Sequence, residues 1–293
     1  MKKSAKWTKN DKIFLAALLP ILVLFFAFNT VPLIKGFYYG LTNYRGYGSY
    51  DFIGLRNFKD LLSDTRVLKS YLFTIKYSVV LTIVVNVISL ILALGLNRKM
   101  RCKSALRGIY FIPNILGGLV VGYIFSFIFT YILPTIGNVT GIGFLQNSML
   151  ASTKTAWLAI VIVGAWQGIA MNTIIYISGL QTVPEEVYEA SMVDGARGWK
   201  KFWKITFPLI IPFFTINLVL CMKNAMMVFD QIMSLTKGGP SQSTESISYL
   251  IYNNGMSGGQ FGFQSANAFV FFVVIVIVSV LQMKFLNGKE EQL

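Results

Sequence analysis

Long uninterrupted runs of apolar residues constrain this chain more than any other feature. Six segments, residues 13–34, 77–96, 108–132, 155–180, 209–229 and 265–283, each supply about 20 mostly apolar side chains, enough for a helix to cross the hydrocarbon of a bilayer. Only the fifth carries a charge, Lys223. Pro20 and Pro32 do not end the first, because lipid-embedded helices tolerate proline. That run also exceeds the roughly 7–15 apolar residues of a secretion signal, so it is expected to stay as an anchor. Charged residues make up 13% of the chain. Soluble domains carry about 25%, so lipid rather than water must cover much of this surface. The expected fold is an all-α membrane protein with six transmembrane helices, organised as one integrated membrane domain without repeats or linkers.

The formal net charge of +14 sits in short clusters between the spans rather than along one face, a pattern that points away from nucleic acid as a partner. Sixteen of the 26 Lys and Arg residues fall in the N-terminal tail, residues 98–107, residues 181–206 and the C-terminal tail, against eight in the alternate loops. Short cytoplasmic loops retain positive charge, so both termini are expected in the cytoplasm. The chain has no His, which removes imidazole general bases and His metal ligands, and no metal site is expected. Two cysteines, Cys102 and Cys221, are too few for a disulfide framework. The first outer segment, rich in Tyr44, Tyr47 and Tyr50, reads as turns followed by a short amphipathic helix around Phe58 to Leu62.

Between the fourth and fifth spans lies a loop of different character. Thr182 with Glu185 has the form of a capping box, Pro184 suits a first helical turn and Gly195 suits a helix C-terminus, which predicts a short helix. Glu185, Glu186, Glu189 and Asp194 make it acidic among basic inner loops. Ala190, Ser191 and Gly195 are small enough for another protein's backbone to approach, and Tyr188 and Met192 add apolar contact. A helix resting on lipid headgroups has a basic polar face, so this one is read as built to dock on protein.

The residues Glu189-Ala190-Ser191, three further residues, Gly195, nine further residues, then Ile205, Thr206 and Phe207-Pro208 resemble the signature loop of the inner-membrane permease subunits of ABC importers. Phe229-Asp230, Leu235-Thr236, Gly238-Gly239-Pro240 and Thr244 are similar to a stretch of the carbohydrate-import permeases of the MalF/UgpA type, as are Phe52, Gly54, Leu55, Asn57 and Phe58. The large outer insertion of the enterobacterial maltose subunit is absent here. This resemblance implies a type I importer permease fold. It divides the chain into residues 1–70 (tail, first span and outer segment), a transmembrane core over 71–286 with a coupling helix at 183–195, and a cytoplasmic tail at 287–293. It further implies a homologous second permease, two cytoplasmic ATPase subunits, an extracellular solute-binding protein and a bacterial cytoplasmic membrane. The coupling residues would be Glu185, Tyr188, Glu189, Ala190, Ser191, Met192, Asp194 and Gly195.

No ATP-binding loop is present. The Gly-Lys pair at Gly288-Lys289 has Met283 and Glu290 where a phosphate-cradling loop needs Gly and Ser or Thr. No cofactor is expected on this chain, and ATP with Mg belongs on a partner ATPase. Substrate sites in transporters lie near the midplane among polar groups otherwise too costly to bury. The candidates are Trp166, Gln167, Gly168, Met171 and Asn172 in the fourth span and Cys221, Lys223, Asn224, Met227 and Asp230 in the fifth. A sugar needs amide donors and acceptors and an aromatic face, which Gln167, Asn224 and Trp166 supply. The resemblance adds Ala225 and Val228 to the second wall. Lys223, Met227 and Asp230 are expected on one helical face, where the charge is neutralised along the helix, by a partner subunit or by an anionic solute. Asn86 is read as interhelical glue, and Gly117, Gly118 and Gly122 as allowing close packing. The alternatives are an importer of a non-sugar solute such as a glycerol phosphodiester, a membrane-embedded enzyme, for which the chain lacks clustered intramembrane acids and nucleophiles, and a carrier working without an ATPase.

Overall fold

The computed structural model describes residues 9–97, 108 and 112–290. The basic clusters at Lys2, Lys3 and Lys6 and at residues 98–107, and the last three residues of the tail, lie outside them. Among the described residues the structure is helical, and its extended pairing is a single bridge between Thr42 and Phe52. The chain divides into two compact units, one formed by Met1–Ser63 with Ile251–Phe271 and the other by Asp64–Leu250 with Phe272–Leu293.

In the first unit, α1 (Lys9–Phe25) passes through one π-helical turn into α2 (Val31–Gly40), and together they form an apolar span over Phe14–Gly40. None of its most apolar window is buried, as expected for side chains facing lipid. The short α3 (Arg56–Ser63) confirms the amphipathic helix read from the outer segment. Asn57 on α3 is buried, and its Nδ2 donates to the carbonyls of Gly40 (2.8 Å) and Thr42 (2.9 Å). It thereby satisfies two of the acceptors exposed where α2 ends. Gly54 has φ +62, a left-handed conformation that only glycine adopts cheaply, and it turns the chain so that Asn57 can reach back.

The second unit holds the core. Its elements are α4 (Thr65–Leu96), α5 (Gly118–Phe127), α6 (Leu133–Thr140), α7 (Ala156–Thr182), α8 (Glu185–Val193), α9 (Gly198–Lys201), α10 (Phe207–Leu209), α11 (Ile211–Met226) and α12 (Asp230–Leu235). α13 (Ile247–Tyr252) and the long α14 (Phe261–Glu290) complete the chain. Half of the most apolar window of α7 is buried, the largest share among the five continuous spans, and this helix is the central post against which α4 and α11 pack. Tyr77, Leu81 and Val85 of α4 meet Ala159, Ile160 and Val163 of α7 and Cys221 and Ala225 of α11. In lipid the spans associate through close packing and interhelical hydrogen bonds rather than hydrophobic exclusion. The Tyr176 hydroxyl donates to Asn86 Oδ1 (2.7 Å) and the Ser89 hydroxyl to the Ile169 carbonyl (3.1 Å), each worth about 0.6–2 kcal/mol in a membrane. Asn86 is therefore the glue that the sequence indicated. Gly118 and Gly122 carry the predicted close packing, since a Cβ would strike the Asp230 carboxylate at the first and the Ser234 side chain at the second. Gly117 has open space instead and caps α5.

Among the described residues five helices are long and apolar enough to cross a membrane, and the bent pair Gly198–Leu209 and Ile211–Met226 makes a sixth candidate when taken as one span. The largest differences from the sequence expectation fall in three spans, and beyond them the first span runs on to Gly40 and the last starts at Phe261. The second span begins at Thr65 rather than at residue 77, because Asp64 caps it through bonds from the Arg66 and Val67 N–H groups (2.8 and 3.1 Å). Its early charges are accommodated: Arg66 makes a two-pronged ion pair with the buried Glu245 (2.7 and 2.8 Å), and the Lys76 ammonium lies 4.0 Å over the Trp157 ring. The third span is interrupted, residues 112–115 being helical and Gly117 extended before α5 starts. The fifth is bent by 72° between Gly198–Leu209 and Ile211–Met226 and ends at Met226. Pro208 and Pro212 lie four residues apart around this bend, and each removes a helical donor.

Candidate functional site

A cavity of about 240 Å³ opens between α4, the break before α5, α7, α11 and α12. On α7 it is lined by Gly164, Gln167, Gly168 and Asn172, spaced i, i+3, i+4 and i+8 and so forming one helical stripe. On α11 it is lined by Cys221, Asn224 and Ala225, again at helical spacing, and Val228 follows just past the helix end. Gly164 lets α7 pack closely on α4 at this wall, since a Cβ there would come within 2.5 Å of the Tyr77 hydroxyl. Five carboxamides reach this space, from Asn114, Gln167, Asn172, Asn224 and Gln231, and among the described residues no Asp, Glu, Lys or Arg lines it. Gln231 Nε2 donates to Gln167 Oε1 (2.8 Å), tying α12 to α7 across the cavity, and Asn172 Nδ2 donates to the Gly168 carbonyl (2.8 Å).

Five sequence candidates thus converge on one space: Gln167, Gly168, Asn172, Cys221 and Asn224. Five do not. Trp166 and Met171 lie off the α7 stripe, and the Trp166 ring packs on Phe125 (5.2 Å). Lys223 and Met227 lie off the α11 stripe and are exposed. Asp230 does not continue the Lys223 face, because the helix ends at Met226 and Asp230 opens α12 with its carboxylate against Gly118. Among the described residues no ion pair joins Lys223 to Asp230. Asn114 and Gln231 were missed. Each is an amide inside or beside an apolar run, the same signal that singled out Gln167 and Asn224, but each sits at a helix break that periodicity does not show.

The second candidate surface is α8. Its N-cap is Pro184, not Thr182, whose hydroxyl instead donates to the Gly179 carbonyl (2.8 Å) as the last residue of α7. A residue before proline is driven to extended backbone, and Val183 with ψ 118 ends α7 there, so the capping box cannot form. Gly195 has φ +74, and the Gly195 N–H to Met192 and Ala196 N–H to Ser191 bonds (3.1 and 2.9 Å) close a Schellman motif. Glu185, Glu186, Glu189, Ala190, Met192 and Asp194 are exposed, together with Val193, which the sequence did not single out. Ser191 is buried with its hydroxyl on the Tyr188 carbonyl (2.7 Å), and Tyr188 is half-buried beneath the Lys201 ammonium (4.2 Å to the ring centre). Those two side chains turn inward, and the acidic row faces out.

The segment around Gly238-Gly239-Pro240 shapes the cavity from behind. Gly238 is left-handed, the Thr244 hydroxyl bonds the Gly239 carbonyl and the Thr236 hydroxyl, and the Ser246 hydroxyl holds the Val228 carbonyl (2.9 Å). Val228 lines the cavity, so this loop fixes one wall.

Residues 85–288 match the family of binding-protein-dependent transport system inner membrane components. The chain is 39% identical over 272 residues to the multiple sugar-binding transport system permease protein MsmF of Streptococcus mutans, covering 92% of this chain and 93% of the relative. It is 36% identical over 291 residues, 99% of each chain, to AmyD of Thermoanaerobacterium thermosulfurigenes, described as a probable starch degradation products transport system permease protein. The fold is shared with a chain of a bacterial alginate ABC transporter solved with an alginate pentasaccharide-bound periplasmic protein, at TM-score 0.83, 20% identity and 96% coverage of both chains. With its apolar spans and a match over well more than half its length, the chain is a multi-pass membrane protein of the binding-protein-dependent transport system inner membrane component family.

Proposed function

We propose that this chain is the permease subunit of an ABC importer that moves a carbohydrate, an oligosaccharide in particular, across the cytoplasmic membrane. The carrying observation is the cavity, which among the described residues presents five carboxamides and no full charge. Amides donate to and accept from hydroxyls without desolvating an ion, which suits a neutral polyhydroxylated solute better than a phosphodiester. The sugar systems to which the 39% and 36% identical relatives belong support the same substrate class. A glycerol phosphodiester would need a cation, and Lys223 lies outside the lining.

In this reading the chain pairs with a homologous permease and two ATPase subunits, receives solute from an extracellular binding protein, and leaves ATP and Mg to the ATPases. Both termini and α8 face the cytoplasm, in keeping with the distribution of Lys and Arg. α8 seats its exposed acidic row on an ATPase. ATP-driven closure of the ATPases turns the spans attached to α8 and opens the cavity outward, and hydrolysis resets it. The test is ATP hydrolysis by the purified complex with the cognate binding protein. A neutral oligosaccharide should stimulate it and a glycerol phosphodiester should not, and the reverse order would overturn the substrate reading.

A further inference from the structure

The residues just after α8 have a different chemistry from it. From Gly195 to Phe229 there is no acidic residue, while Arg197, Lys200, Lys201 and Lys204 cluster in eight positions with Trp199, Phe202 and Trp203 among them. Among the described residues none of the four cations forms an ion pair. Trp199 is 74% and Trp203 56% exposed, and their rings stack 6.1 Å apart at an interplanar angle of 12°. Lys200 and Lys204 are exposed beside them, whereas Phe202 and Thr206 turn inward.

The 72° bend gives this pattern a direction. If Ile211–Met226 crosses the bilayer near its normal, Gly198–Leu209 runs close to the plane of the membrane, at the level of the headgroups. Stacked indoles beside a lysine row, on a helix lying in that plane, are the composition of an interfacial anchor. A groove of about 520 Å³ opens alongside, its lining combining Leu94, Leu180 and Phe202 with Lys201 and Trp199. That arrangement fits an acyl chain below an anionic headgroup.

We propose that residues 197–207 form a binding site for anionic glycerophospholipid in the leaflet on the side of α8, with Lys200, Lys201 and Lys204 on the phosphate and Trp199 and Trp203 at the depth of the glycerol backbone. Lys201 also lies over the Tyr188 ring of α8, so a lipid held here fixes the root of the docking helix. The inference needs the chain to span a membrane and does not depend on which solute it carries.

The test uses the complex purified through a tag on this chain and placed in phosphatidylcholine nanodiscs containing either brominated phosphatidylglycerol or brominated phosphatidylcholine. The readout is bromine quenching of the fluorescence that Trp199→Phe/Trp203→Phe removes. Phosphatidylglycerol should quench that fraction more than phosphatidylcholine, and the preference should fall about fivefold per lysine in Lys200→Gln/Lys204→Gln. Equal quenching by the two lipids, a preference that survives the lysine changes, or no quenching by either, as when protein covers the face, would each overturn the proposal. Oligosaccharide-stimulated ATP hydrolysis in the same nanodiscs reports on the transport reading separately.

Discussion

Asn224 and Gln231 reach the cavity from either side of the point where α11 ends, and Gln231 is already bonded to Gln167. Removing one neutral hydrogen bond costs about 1 kcal/mol, and leaving a buried partner unmet costs more. Asn224→Ala is therefore expected to raise the KM for solute uptake roughly tenfold, while Lys223→Gln, which lies off the lining stripe, leaves it unchanged. Uptake of labelled oligosaccharide by reconstituted complex measures both, and the opposite ranking would put the charge rather than the amides on the solute. Gly118→Val drives a branched side chain into Asp230, and overpacking of this kind costs about 1–3 kcal/mol. Its expected mark is a lower Tm in detergent. Gln167 and Asn172 were legible as amides inside a continuous apolar run, but that signal did not separate them from Trp166 and Met171, which lie off the stripe. Asn114 and Gln231 were not, because each lies beside a helix break where the period restarts.

At the scale of the element, α8 separates positioning from contact. Its Schellman end requires a left-handed residue at Gly195, so Gly195→Ala is expected to cost about 1–2 kcal/mol in the local structure without adding bulk to the exposed row. Ala190→Trp adds bulk on the exposed side instead. It is expected to leave membrane insertion intact and to abolish solute-stimulated ATP hydrolysis, and a variant with full coupling would remove α8 from the docking role. The helix itself, its acidic face and its glycine terminus were all readable from spacing. The capping box was not, because Pro184 imposes extended backbone on Val183 and moves the start of α8 by two residues, outweighing the local Thr-Glu pattern. The bend in the fifth span had its signal in Pro208 and Pro212, but lipid-embedded helices absorb prolines often enough that such a pair does not fix an angle.

Across the whole molecule, apolar run length decided the number of crossings, since each span must satisfy its backbone internally. Run length did not place the span ends, because a capped and ion-paired helix extends past its first charges, as α4 does at Arg66. The Arg66–Glu245 pair joins two segments far apart in sequence, and Glu245 is almost fully enclosed. Arg66→Met leaves that carboxylate without its partner and is expected to destabilise the fold by about 2 kcal/mol, below the full cost of a buried pair because the guanidinium is partly exposed. Denaturation in detergent measures it, with Arg66→Lys recovering part of the loss. The central claim, a permease powered by a separate ATPase and moving a neutral sugar, is tested most directly by uptake into proteoliposomes. The complete complex with binding protein, ATP and Mg is predicted to accumulate oligosaccharide, and this chain alone is predicted to accumulate none. Uptake by the chain alone, or by the complete complex without ATP, would contradict the account.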